Sequence, residues 1–155
     1  MSASAGLNDD FLDMLRALVE ARAEFVVVGA HALAVHGVPR ATGDLDILVK
    51  PSAENAPRVM SALRAFGAPI EAHGIVTEDF TVEGTVYQIG LPPRRIDLMT
   101  AISGVDFDTV WASRVGLELD GLPLSFIGRD ALVVNKRAAG RPKDLADVAE
   151  LEKSW

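Results

Sequence analysis

Apolar residues recur along the chain at two spacings, and these spacings predict helices and strands in mixed order. Spacings of three and four residues predict helices at residues 9–24, 30–36 and about 53–66. Asn8 and Ser52 precede two of these segments. We expect them to cap the helices, because their side chains can accept hydrogen bonds from the free N–H groups of a first turn.

Strands are predicted where apolar residues alternate with polar ones or form a short run. These segments are residues 25–28, 44–49, 80–82, 85–89 and 95–99. Apolar alternation on both sides of Asp120-Gly121 predicts a hairpin, and two short helices follow, at residues 129–139 and from Pro142 onward. Because strands and helices do not alternate regularly, the expected fold is α/β (α+β), a mixed β-sheet with helices packed against it.

Length and composition favour one small soluble domain. The 155 residues are expected to form a single domain over residues 1–155. No membrane span is predicted, since no apolar stretch reaches about 18 residues. Residues 1–10 are small and acidic, unlike a secretory signal, and no cysteine is present to form a disulfide or a thiolate ligand. The cytoplasm is the expected location.

The net charge limits how the protein could bind nucleic acid. A charge of −7 argues against a surface that binds nucleic acid nonspecifically, because such binding requires many Lys and Arg side chains. Any such contact is therefore expected to be local. A basic cluster does occur late in the chain, and it consists of Lys136, Arg137, Arg141 and Lys143. Such a run is also typical of a solvated helix end, so both interpretations stay open.

The segment Asp44-Leu45-Asp46 places two carboxylates on one face of a predicted strand, with Leu45 and Ile47 on the other. Two negative charges this close repel each other. A divalent cation is the usual compensation, because Mg²⁺ binds one or two carboxylates together with substrate phosphates. The alternative is a solvated sheet face, or a turn in which Asp44 bonds its own backbone.

Two further features favour a site for phosphate chemistry. Gly29 lies between a predicted strand and a predicted helix, where a small residue lets a phosphate approach backbone N–H groups. Asp97 lies in an apolar strand, where a charge without a partner is costly. Together with Asp44 and Asp46, these residues provide the parts of a two-metal phosphoryl-transfer site.

The same residues resemble the motifs of the polymerase-beta-type nucleotidyltransferases. That superfamily has a hydrophobic-Gly-Gly/Ser turn, then an Asp-hydrophobic-Asp/Glu pair, then a third acidic residue on a later strand. Here Val28-Gly29-Ala30, Asp44-Leu45-Asp46 and Asp97 follow that order. With Arg40-Ala41-Thr42 and the C-terminal segment 136–147, the chain is similar to small bacterial nucleotidyltransferases related to abortive-infection toxins.

The resemblance implies roles for the charged residues. Asp44 and Asp46 would hold Mg²⁺ (or Mn²⁺) against a nucleoside triphosphate, and Asp97 would bind a second metal ion and help to deprotonate the acceptor. Lys136 would face the triphosphate and neutralise the leaving pyrophosphate. We predict that Lys136 is part-exposed and affects catalysis more than folding.

Other nucleotide contacts are expected at Gly29, Ala30, Arg40 and Thr42. Ala30 stands where many members of the superfamily have Gly or Ser, so only its backbone N–H could bind a phosphate. Arg40 and Thr42 could contact phosphate or base, and could equally be an exposed turn residue and a strand start. Arg141 and Lys143 are expected to be structural or to contact the acceptor, and Lys143 is also expected to pair with acidic residues along its own helix.

The resemblance implies an Mg²⁺-dependent enzyme that moves a nucleoside monophosphate to an acceptor hydroxyl or phosphate and releases pyrophosphate. RNA, a protein or a small molecule would be the acceptor, and a toxin of this kind would have an antitoxin partner. One alternative is an antibiotic-modifying enzyme of the aminoglycoside or lincosamide type, since an acidic surface suits a cationic substrate. Another is an inactive nucleotide- or partner-binding module, which Ala30 favours and the three carboxylates disfavour.

Overall fold

The computed structural model describes residues 7–153, and within them a six-stranded sheet is combined with six α-helices. The helices are α1 (Asp9–Glu20), α2 (Gly29–Val35), α3 (Ala56–Phe66), α4 (Phe107–Ala112), α5 (Arg129–Ala139) and α6 (Pro142–Lys153). The strands are β1 (Phe25–Val28), β2 (Asp44–Val49), β3 (Val86–Ile89), β4 (Arg95–Met99), β5 (Val115–Leu119) and β6 (Leu122–Phe126). Most of residues 1–10, which were expected not to form a secretory signal, lies outside the described residues.

The strands follow the order β3-β4-β2-β1-β6-β5 in one mixed sheet. Strand β2 runs parallel to β4 and β1 runs parallel to β6, whereas the other neighbours are antiparallel. The predicted fold class, a mixed sheet with helices packed against it, is confirmed. None of the helices in residues 7–153 is long and apolar enough to cross a bilayer.

A single apolar core holds the sheet against its helices. Every residue of β1 is buried, and α1 and α3 contact each other and contribute Met14, Leu15 and Leu63 to the same core. On β2, Leu45 and Ile47 are fully buried. Since side chains alternate along a strand, Asp44 and Asp46 lie on the opposite face, as the alternation predicted.

Helix α1 ends at Glu20, earlier than the predicted residue 24. Arg22 has a φ of 60°, its N–H bonds to the carbonyl of Val19, and the N–H of Ala23 bonds to the carbonyl of Leu18. Glycine is the usual residue in this left-handed position after a helix. Because an arginine stands there, the end of the helix could not be recognised from the pattern.

Ser52 does not cap α3, so that prediction was wrong. Its Oγ accepts a hydrogen bond from the N–H of Asn55 at 3.0 Å, in a turn that precedes the helix, and Asn55 is the N-cap residue. The Asn55 side chain bonds the backbone of Glu24 and Lys50. It thereby links the start of β1 to the end of β2, a role that depends on tertiary structure.

Residues 80–82 do not form the predicted strand. Thr77–Thr81 is a 3-10 helix, and the Asp79 side chain accepts a hydrogen bond from the N–H of Val76 at 2.8 Å. Phe80 is buried in the core, whereas Val82 is exposed. The apolar run therefore reflects one core contact beside a short turn, rather than an extended strand.

Helix α4 was not predicted. The Asp106 side chain accepts a hydrogen bond from the N–H of Thr109 at 2.8 Å and caps it. On this helix Phe107 and Trp111 stack with ring centroids 5.6 Å apart. Helix α3 begins at Ala56, three residues later than predicted, and the other predicted strands and helices agree with the structure to within one residue.

Candidate functional site

Four charged side chains lie together on one face of the sheet, where β2 adjoins β4. Because these strands are parallel, Asp44 lies beside Arg95 and Asp46 lies beside Asp97. Residues two apart on a strand share a face. Three carboxylates and one guanidinium therefore lie close together. We call Asp44, Asp46, Arg95 and Asp97 the charged square, and its acidic members are the three aspartates expected from the sequence.

The charged square lines a cleft of about 560 Å³. Strand β4 and the segment after it contribute the less polar lining residues Met99, Ala101 and Ile102. The C-terminal helices and the short connection between them contribute polar and charged lining residues, which include Asn135, Lys136, Arg141, Lys143 and Asp144. The cleft thus combines a cluster of carboxylates with a group of cationic side chains.

Arg95 lies between two of the three aspartates. Its guanidinium donates a hydrogen bond to Oδ2 of Asp44 at 2.9 Å and a longer one to Oδ2 of Asp97 at 3.3 Å. Nε of Arg95 is also 3.2 Å from Oδ1 of Asp97, but the two atoms are not aligned for a hydrogen bond and both are buried. Arg95 therefore bonds Asp44 well and Asp97 poorly.

Among residues 7–153, Asp46 has no cationic partner comparable to Arg95. Burial, followed by the negative charges of Asp97 and Asp44, raises the pKa of the Asp46 carboxyl from 3.8 to about 6, although Arg95 opposes this effect. A carboxylate directly opposite another on a neighbouring strand is destabilising unless it is compensated. The square thus carries more negative charge than Arg95 neutralises.

Gly29 allows Asp46 to approach the junction of β1 and α2. Its φ is +71°, which favours glycine, and a Cβ at this position would lie 2.3 Å from Oδ2 of Asp46. A larger residue would therefore displace the carboxylate. The sequence predicted that a phosphate would use the space left by Gly29, and the structure shows the Asp46 carboxylate against this position.

The donor set of the site fits a hard divalent cation. Asp44, Asp46 and Asp97 supply carboxylate oxygens, which Mg²⁺ and Mn²⁺ prefer. Oδ1 of Asp97 is buried without an aligned hydrogen bond, and such a group requires a partner. Within residues 7–153, however, no three His, Asp or Glu side chains are arranged as a ready-made metal site. Two of the three carboxylates, those of Asp44 and Asp97, are bonded to Arg95 instead.

Lys136 lines the cleft from α5, and little of its side chain is exposed. Only 11% of its side chain is exposed, and Nζ lies 3.4 Å from Oδ1 of Asp144 and 3.2 Å from Oδ2 of Asp147. Asp144 is fully buried and Asp147 nearly so. Lys136 thus belongs to a buried ion cluster that joins α5 to α6.

Arg40, Thr42 and Ala30 line a smaller depression that shares Asp44 and Asp46 with the cleft. The Arg40 guanidinium bonds Oδ1 of Asp147 at 2.9 and 3.1 Å, so Arg40 ties the loop before β2 to α6. Thr42 exchanges hydrogen bonds with the backbone of Asp44 and starts the strand. The contacts of Thr42 match its structural alternative, a strand start, whereas the ion pair of Arg40 with Asp147 was not expected from the sequence.

Arg141 and Lys143 differ in their contacts. Arg141 bonds Asp144 through its backbone and its guanidinium. Burial alone would raise the pKa of the Asp144 carboxyl, but the hydrogen bonds from Arg141 and the charges of Lys136 and Arg141 outweigh it and hold that pKa below its ordinary value. The Lys143 side chain is exposed and forms no ion pair or hydrogen bond within the described part of the chain.

The expected pairing of Lys143 with Asp144 and Asp147 was therefore wrong. Asp144 pairs with Arg141 and Lys136, and Asp147 pairs with Arg40 and Lys136. Sequence reasoning also gave Arg95 no role of its own. Its position two residues before Asp97 places it on the same strand face, and that signal could have identified it.

Solved structures of other proteins share this fold. A candidate nucleotidyltransferase from Thermotoga maritima is 16% identical, with a TM-score of 0.55 and coverage of 94% of each chain. An antigenic nucleotidyltransferase-like protein from Paracoccidioides brasiliensis is 14% identical, with a TM-score of 0.51, and the match covers 92% of this chain and 74% of that one. At these identities the likeness concerns the fold.

No curated protein matches the chain. A family model does match it, over residues 9–152, which include all four members of the charged square and the C-terminal ion cluster. The chain therefore belongs to the family described as "Nucleotidyltransferase of unknown function (DUF6036)".

Proposed function

We propose that this member of a nucleotidyltransferase family transfers a nucleoside monophosphate from a nucleoside triphosphate to an acceptor hydroxyl or phosphate and releases pyrophosphate. Mg²⁺, or Mn²⁺ in its place, is the expected cofactor. The observation that carries the proposal is the meeting of Asp44, Asp46 and Asp97 in one cleft, with Asp46 and Asp97 on adjacent positions of parallel strands. The family and the fold support the general reaction class.

In the proposed reaction, an acceptor oxygen forms a bond to the α-phosphorus of the triphosphate. The bond from that phosphorus to the oxygen bridging to the β-phosphate breaks, and pyrophosphate leaves with the bonding electron pair. Asp97 accepts the acceptor proton at a carboxylate oxygen, Oδ1 being the one that lacks an aligned hydrogen bond. Charge and atoms balance without any further reactant.

The carboxylates and the cationic side chains of the cleft would have different roles in binding the triphosphate. The carboxylates would hold the divalent cation, which supplies charge neutralisation at the phosphates and lowers the cost of bringing an anionic substrate beside three aspartates. Lys143, which has no partner within residues 7–153, is free to bind the β- and γ-phosphates. Lys136 and Arg141 would add positive charge beside it.

The proposal also concerns which molecule accepts the nucleoside monophosphate. The resemblance to abortive-infection toxins suggests an acceptor in RNA or protein and an antitoxin partner. One observation favours a different acceptor, because a net charge of −7 would attract a cationic small molecule and repel RNA. An aminoglycoside-like alcohol is therefore the second candidate, and it uses the same chemistry in the same cleft.

Nucleoside triphosphate with Mg²⁺ is expected to raise the melting temperature, and Asp46→Asn is expected to remove most of that gain. A ligand that binds only the folded protein stabilises it, by about 2.7 kcal/mol at a hundredfold excess over the dissociation constant. Thermal scans with and without ligand measure the effect. Asp13→Asn, which changes an exposed aspartate on α1, is the matched control and should keep the full gain. An equal gain in wild type and Asp46→Asn would place the nucleotide elsewhere.

A further inference from the structure

Arg95 occupies an unusual position, because it is the single cation of the charged square in a site whose other members are aspartates. Its guanidinium spans Asp44 and Asp97, and its side chain is 31% exposed, as is that of Asp44. Asp97 is 8% exposed. Arg95 therefore reaches the nearly buried Asp97 with a side chain that is itself part-exposed.

The bonds that hold Arg95 are unequal in quality. The contact with Asp44 is a hydrogen bond of 2.9 Å, whereas the bond to Oδ2 of Asp97 is 3.3 Å long and the approach of Nε to Oδ1 is misaligned. A charge-assisted hydrogen bond normally measures about 2.7–2.9 Å. Arg95 thus bonds Asp97, the most buried carboxylate of the three, less well than it bonds Asp44.

A divalent cation would compete with Arg95 for the same oxygens. Its charge is twice that of a guanidinium and is concentrated at one point, so the carboxylates of one cleft attract it more strongly than a flat, delocalised monovalent group. Two cations at one cluster of carboxylates repel each other. Binding of the ion and retention of the Arg95 contacts are therefore opposed.

We infer that Arg95 is a built-in counter-cation, which holds Asp44 and Asp97 together in the cation-free protein and lowers the affinity of the cleft for divalent ions until it is displaced. This inference rests on the proposed function, because it requires the three aspartates to bind a cation. It makes Arg95 a positioning residue that sets the concentration at which the metal ion loads.

The test is direct titration of the purified protein with Mn²⁺ alone, with free Mn²⁺ measured by electron paramagnetic resonance. Arg95→Gln, which removes the charge and keeps a polar side chain, is expected to bind Mn²⁺ on the order of tenfold more tightly than wild type. Arg95→Lys keeps the charge but lacks the planar guanidinium that bridges two carboxylates. Its affinity for Mn²⁺ should therefore lie between those of wild type and Arg95→Gln. Arg94→Gln is the matched control, since the adjacent Arg94 is exposed and pairs with Asp10.

The outcomes separate the inference from the proposed function. Tighter binding by Arg95→Gln, with Arg94→Gln unchanged, supports the inference. Equal or weaker binding by Arg95→Gln, while wild type binds Mn²⁺, overturns the role of Arg95 and leaves the metal site intact. If neither wild type nor any variant binds Mn²⁺, both the inference and the proposed function are overturned. If Arg95→Gln does not fold, circular dichroism will show it, and unchanged affinity in Arg95→Lys then counts against the inference.

Discussion

Asp46→Asn is expected to raise the free energy of unfolding at pH 7.5 by about 1–3 kcal/mol and to slow nucleotide transfer at least about a hundredfold. The stability gain follows from the pKa of Asp46, which burial and the neighbouring Asp97 and Asp44 raise to about 6. Ionising this carboxyl therefore costs more in the folded protein than in the unfolded chain. Asparagine keeps the shape and removes the charge.

The raised pKa of Asp46 also determines how the stability difference between wild type and Asp46→Asn changes with pH. Because the folded pKa of Asp46 lies above its ordinary value of 3.8, wild type loses stability as the pH rises from about 4 to about 6. Asp46→Asn should match wild type below pH 4 and exceed it above pH 6. Urea unfolding in the presence of a chelator measures the difference, with Asp13→Asn as the control. A variant that is less stable than wild type at pH 7.5 would contradict the electrostatic description of the site.

Lys136→Ala is expected to lower the free energy of unfolding by about 3 kcal/mol, because it leaves two buried carboxylates without one of their cations. Nζ of Lys136 lies within 3.4 Å of both Asp144 and Asp147, whose side chains are 0% and 10% exposed. This reverses the expectation from the sequence that the substitution would affect catalysis more than folding. That expectation assumed a part-exposed side chain.

Thermal and urea unfolding of Lys136→Ala test the reversal. Lys153→Ala on α6 is the matched control, because its side chain is 72% exposed and pairs only with Glu150 among the described residues. The control should change stability by no more than about 0.5 kcal/mol. If Lys136→Ala unfolds like wild type yet transfers nucleotide slowly, the original interpretation of Lys136 as a group that acts on the leaving pyrophosphate is the better one.

Local signals were sufficient for most of the fold. The buried run of β1 and the alternation of β2 predicted these strands without tertiary information. Asp120 and Gly121 both have positive φ, of 50° and 77°, which is the turn geometry that such a dipeptide favours between two strands. Where a local signal was absent or ambiguous, as at Arg22 and Ser52, the prediction failed.

The internal geometry of the site depends on contacts that no local pattern specifies. The sequence shows that Asp44 and Asp46 share a face, but only the parallel register of β2 and β4 places Asp46 beside Asp97 and Arg95 beside Asp44. A shift of two residues would keep every side chain on its face and separate these pairs. The raised pKa of Asp46 and the position of Arg95 both follow from that register.

The ion cluster of the C-terminal helices was missed for the same reason. Arg40 and Asp147 are 107 positions apart in the chain, and they meet because α6 packs near the loop before β2. From the sequence, Asp147 and Lys143 looked like neighbours on a solvated helix. The structure instead buries Asp147 between Arg40 and Lys136, which makes the cluster part of the fold.

The most direct test of the proposed transfer follows the two ends of the triphosphate separately. Wild-type protein is incubated with Mg²⁺ and each nucleoside triphosphate, labelled at the α- or the γ-phosphate, together with RNA, protein or a cationic aminoglycoside as acceptor. The α-label is expected on one acceptor and the γ-label in pyrophosphate, and Asp97→Asn should abolish both. Transfer of the γ-label to the acceptor, its release as inorganic phosphate, or undiminished transfer by Asp97→Asn would contradict the proposed function.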